Sequence, residues 1–212
     1  MRRLIALLAL AIAPTLAAQD CSCLWQGSFT DVQDEADLVV AGDILGSKGN
    51  SVDLAILDTL RGTSHLAEIR IWLQARDYCR PPVEDFPPGS RWVMALQRIE
   101  QEVPGGFDPG TPNISYGRVG DYYLSSCGGY WLSLHDEHVT GALVDAPRWV
   151  REPKMTPVLY DLVAGFIAGE VDAQALRQAS REDPALRELM LDTRAFLRQG
   201  GSPAPETGTD SD

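Results

Sequence analysis

The chain reads as a mainly β domain followed by C-terminal helices. Three observations point there: five short apolar runs divided by turn residues, a switch to helical spacing after Pro153, and four cysteines that can staple the first part. Five short strands with turns between them suggest a small barrel or sandwich.

The first run is Ala36–Leu45. Leu38, Val40 and Ile44 carry its apolar character, and Gly42 suggests a bend or bulge. Gly46 to Asn50 supplies turn chemistry. In Ser51–Leu60, Val52, Leu54 and Ile56 lie on one face, with Asp53 and Asp58 near the other. Arg61-Gly62 turns the chain. Glu68–Leu73 is the third strand, with Ile69, Ile71 and Leu73 on one face. Pro81, Pro82, Pro87 and Pro88 mark a long loop. Gly89–Leu96 is the fourth strand. Val103 to Ser115, rich in Gly and Pro, is an extended excursion, and its Asn113-Ile-Ser115 sequon reads as chance. Asp121–Cys127 is the fifth strand.

Beyond Pro153, residues 156–168 place Val158, Leu159, Leu162, Val163, Phe166 and Ile167 at helical spacing, with Gly169 as the stop. Residues 171–180 form a second short helix. Asp183-Pro184 reads as an N-cap followed by Pro at the first helical position, opening a third helix through Leu197. The apolar faces of these helices need cover, and packing on the barrel would supply it. Residues 200–212 hold no large apolar residue and are expected to be disordered.

The N-terminus carries an export signal of bacterial style. Arg2 and Arg3 precede the apolar run Leu4–Ala13, then Pro14 and small residues follow. That run is far shorter than the ~20 residues that span a bilayer, so no membrane span is expected. Cleavage after Ala18 or Ala17 fits best. Gln19-Asp20 stand where a lipoprotein carries a small residue, which argues against lipidation. The expected division is 1–18 signal, 19–150 β domain, 151–199 helical segment and 200–212 tail, in a periplasmic or secreted product.

An oxidising compartment turns even cysteines into bridges. Cys21 and Cys23 lie one residue apart, so a bond between them is strained, and each is expected to reach Cys79 or Cys127. The net charge is −12, or −14 without Arg2 and Arg3. Phosphate binding needs clustered Lys and Arg, so nucleic acid is not an expected partner.

Catalytic chemistry finds little footing. There is no Gly-x-Ser-x-Gly, His65 sits in a polar turn, and bridged cysteines leave no thiol nucleophile. His135-Asp-Glu-His138 places two metal-ligand side chains close together, making His135 and His138 weak metal candidates, but lacks HExxH spacing and reads first as a polar turn. No enzyme activity and no cofactor are expected. Trp72, Trp92, Trp131 and Trp149 are expected in core or edge packing rather than on a ligand platform.

Several segments together carry a resemblance: Cys21-Ser-Cys23, the strand Asp37-Leu-Val-Val-Ala-Gly-Asp-Ile-Leu-Gly46, Arg91-Trp-Val-Met-Ala-Leu96, Tyr122-Tyr-Leu-Ser-Ser-Cys127, and Trp131-Leu-Ser-Leu134. From Cys21 to about Leu143 the chain resembles the tissue inhibitors of metalloproteinases (TIMPs) and the related netrin-like (NTR) modules. The resemblance implies a five-stranded OB-type barrel. It also implies the pairs Cys21–Cys79 and Cys23–Cys127. For function it implies a non-enzymatic binding module with an unidentified protein partner. Alternatively, it implies a metalloprotease inhibitor whose Cys21 amine and carbonyl chelate the protease zinc, with Ser22, Cys23 and Leu24 continuing along the cleft. That chelate requires Cys21 to be the mature N-terminus. Residues left ahead of Cys21 convert its nitrogen to an amide, which is no zinc ligand.

Overall fold

A computed structural model describes residues 21–75, 78–107, 109–111, 113–147 and 155–181. The expected signal sequence, third C-terminal helix, tail and Trp149 lie outside the described residues.

β1 (Leu38–Lys48) and β2 (Ser51–Arg61) form a long antiparallel hairpin. Its register shifts between Ala41 and Gly42, where the sequence suggests a bulge. A Cβ at Gly42 would come within 2.4 Å of the Ala55 carbonyl oxygen, so only glycine fits this close approach. β3 (Glu68–Trp72) continues the meander beside β2.

β4 (Arg91–Arg98) pairs antiparallel with β1 from Leu38↔Leu96 to Asp43↔Arg91. β5 is only Tyr122–Tyr123. It lies parallel to β3 and antiparallel to the end of β4. The circuit β1-β2-β3-β5-β4-β1 therefore closes. The protein is a mainly β fold with a five-stranded OB-type barrel and a few short C-terminal helices.

The expected fifth strand is shortened because the chain after Tyr123 leaves the ladder. Ser126 donates to the Cys79 carbonyl instead, and Cys127 turns into a disulfide. A hairpin then extends the sheet: β6 (Trp131–His135) pairs with the first half of β4, and β7 (His138–Gly141) pairs with β6. One edge of β4 is thus shared between β6 and β5. The two-residue β8 (Val158–Leu159) lies against β7, where the sequence suggested helix. The helix itself, α2, begins at Tyr160 and ends at Ile167.

A single turn of helix, α1 (Phe29–Val32), adds Phe29 and Val32, both fully buried or nearly so, to the apolar core. Ser28 and Asp31 make a capping box at its start. α2 and α3 (Ala173–Ala179) add Val163, Ile167 and Leu176 to the same apolar core. Arg61 ties this layer down, donating to the carbonyls of Gln33 and Ile167 and pairing with Asp34. The two helices therefore pack on the barrel.

Candidate functional site

Two features converge at one region of the barrel: the N-terminal strap and a tyrosine-lined pocket. The strap is held by disulfides Cys21–Cys79 and Cys23–Cys127, the pairing that the resemblance implies. No described cysteine is free. Burial alternates along the strap. Cys21, Cys23 and Trp25 are half-buried, while Ser22, Leu24 and Gln26 are exposed, Leu24 to 88%. Gln26 donates its backbone N–H to the Cys127 carbonyl, so the strap is fixed at its far end as well. The side chains that the resemblance puts in a protease cleft, Ser22 and Leu24, therefore face outward from a pinned backbone.

The second feature is Arg80, which follows the bridged Cys79. Its residue is only 4% exposed. Three rings surround the guanidinium: its carbon lies 4.3 Å from the Tyr116 ring centre, 4.6 Å from Tyr123 and 5.3 Å from Tyr78. Nη1 donates to the Tyr116 carbonyl at 2.5 Å. Among the described residues Nη2 has no hydrogen-bond partner. Burial lowers the pKa of the guanidinium from its ordinary value, and the side chains of Tyr116, Tyr123 and Tyr78 oppose that shift.

Around Arg80 opens a cavity of about 300 Å³, lined by Gln26, Tyr78, Cys79, Arg80, Gln97, Tyr116, Tyr123 and Ser125. Distant segments build it. Tyr78 and Arg80 come from the loop after β3, which is tied back by Gln74 N–H to the Pro81 carbonyl. Gln97 and Tyr123 face each other in the β4–β5 register, and the Tyr123 hydroxyl donates to Gln97 Oε1. Tyr116 rides on the long excursion before β5. Buried Asn50 anchors that excursion: its Nδ2 donates to the carbonyls of Leu73 and Ser115, and its Oδ1 accepts from Ser115 N–H. Gly117 completes the turn at φ +121°; a Cβ there would meet Ile99 Cδ1 at 2.4 Å and Trp72 Cδ1 at 2.7 Å.

The histidine candidates lie elsewhere. His135 and His138 sit opposite each other across the β6–β7 turn, Asp136 and Glu137 taking φ of 44° and 66°. The His135 side chain is 92% exposed. Among the described residues neither histidine joins a group of three ligand-type side chains. The four cysteine sulfurs do gather within 4.8 Å of one another, but as disulfides rather than thiolate ligands. The tryptophans pack: Trp72 is buried and donates to Asp121 Oδ2 at 2.8 Å, while Trp92 and Trp131 sit edge-on to buried Phe86.

Sequence reasoning passed over Arg80. Cys79-Arg-Pro-Pro reads as loop, and the ring partners lie 36 residues or more away along the chain in Tyr116 and Tyr123. Fold and bridges define the class: a mainly β OB-type barrel with its N-terminal strap locked by two disulfides. Comparison with protein-family models, curated proteins and solved structures finds no match.

Proposed function

We propose that this chain is an exported, non-enzymatic binding module of the TIMP/netrin-like kind, placed in the periplasm or outside the cell. It meets a protein partner through the strap Cys21–Leu24. The observation that carries this reading is the pairing of rigidity with exposure. Two bridges hold the strap, yet Leu24 stays 88% exposed. A backbone fixed in advance loses little further entropy on binding, and an apolar side chain held in water gains by finding a pocket.

The test is site-specific photo-crosslinking in cells that export the full chain. A crosslinker at Ser22 or Leu24 should give a discrete adduct. The same group at Leu66, exposed in the turn between β2 and β3, should not. No adduct from the strap, or equal adducts from both places, would remove the proposal. Mature protein that begins at Cys21 and inhibits a zinc endopeptidase one-to-one would move the reading to the inhibitor. A start at Ala18 or Gln19 leaves an amide at Cys21 and the binding module.

A further inference from the structure

We propose that the Arg80 pocket binds the carboxylate of an organic anion. The inference does not depend on the strap engaging a partner, because it rests on a different set of groups.

Charge comes first. Arg80 is 96% buried by residue area and, among the described residues, forms no ion pair. A buried guanidinium is expensive unless something neutralises it. The faces of Tyr78, Tyr116 and Tyr123 stabilise the cation in part. They do nothing for the N–H groups at its edge. Nη1 is committed to the Tyr116 carbonyl, and among the described residues Nη2 finds no acceptor. Water would satisfy that hydrogen bond but not the charge. An anion satisfies both.

The neighbouring groups are also set up as donors. Gln97 Oε1 accepts from the Tyr123 hydroxyl, and Gln26 Oε1 accepts from the Tyr130 hydroxyl at 2.8 Å. With their oxygens engaged, both amides have their NH₂ groups to offer. Ser125 Oγ accepts from the Cys127 N–H, which leaves its own hydrogen to donate. A cavity lined by one cation and several neutral donors selects an acceptor-rich ligand.

Carboxylate fits better than phosphate for three reasons. One guanidinium matches a single negative charge. The planar group fits the flat guanidinium edge. The chain as a whole is at −12, which disfavours drawing in a dianion. The volume of about 300 Å³ exceeds what a carboxylate needs and lies at the lower limit of small-molecule sites, so the ligand has an organic body of a few atoms more.

The experiment uses the whole mature protein with ring-labelled tyrosine. The chain has six tyrosines, so the spectrum is assignable. Acetate, benzoate and inorganic phosphate are titrated separately at constant ionic strength. The proposal expects the rings of Tyr78, Tyr116 and Tyr123 to move saturably with a carboxylate, with half-saturation on the order of 1 mM. Tyr160, bonded to Asp58 elsewhere on the barrel, should stay in place. Arg80→Met should lose at least about tenfold in affinity, the effect of one charge-assisted contact. Should that variant fail to fold, Gln97→Leu replaces it and should weaken binding several-fold. No saturable movement with either carboxylate, saturation by phosphate alone, or unchanged affinity in the folded variant would overturn the proposal.

Discussion

Removing the Cys23–Cys127 bridge should destabilise the protein more than any single apolar truncation on its surface. The bridge spans a sequence separation of 104 residues. Loop-closure entropy for that length amounts to about 4.7 kcal/mol at 25 °C. The other bridge, Cys21–Cys79, spans 58 and gives about 4 kcal/mol by itself. The two do not add. Cys21 and Cys23 are nearly the same point on the chain, so either bridge shortens the path that the other must close. With its companion intact, each should therefore contribute roughly 3–4 kcal/mol. The double variant Cys23→Ala/Cys127→Ala, unfolded in urea, reads this directly. Its midpoint should fall, and its m-value should rise because the unfolded chain is less constrained. The melting temperature should drop by about 10 °C for a domain of this size. A loss under about 1 kcal/mol with an unchanged m-value would refute the loop argument. It would mean that the barrel holds the strap without help.

Three further outcomes follow from the packing. Asn50→Ala removes three side-chain hydrogen bonds, two to Ser115 and one to Leu73, and should cost about 2–4 kcal/mol in chemical unfolding while loosening Tyr116 in its NMR line width. Gly117→Ala puts a Cβ against Ile99 and Trp72 at positive φ, and should cost about 2 kcal/mol or more, measurable as a lower melting temperature. Alkaline stability should fall early. Tyr123, Tyr130 and Tyr160 all have raised pKa values, burial being the first cause of each, so the folded state holds these protons more tightly. Their contribution is whole below about pH 10, the unfolded value, and is lost as pH rises through the higher folded values. Tyr160→Phe should flatten that decline in urea midpoints measured between neutral and alkaline pH.

Much of the barrel is legible because its strands alternate. Val52 and Leu54 in β2, and Ile69 and Ile71 in β3, are buried beside less buried neighbours, and Leu38–Val40 is apolar throughout because both its faces are buried. The β6–β7 hairpin is harder to read. Its turn uses Asp136 and Glu137 at positive φ, without the glycine that marks such turns. β8 is two residues long and runs straight into α2, so its apolar pair merges with the helical pattern. The cysteines are visible at once, but spacing alone leaves their pairing open. Arg80 is the opposite case. Of its cage only Tyr78 is local; Tyr116 and Tyr123 are brought in by Asn50, the Ser115 segment and the β4–β5 register, from other parts of the chain. Aromatic cages built by closure of a barrel leave no periodic trace.

In the proposed function the chain is exported, with its strap locked by two bridges. Intact mass of protein recovered outside the cytoplasm, taken with and without reductant, tests it most directly. The expected result is a chain beginning at Ala18 or Gln19 that gains about four hydrogens on reduction. A retained signal sequence, or no gain on reduction, would contradict it.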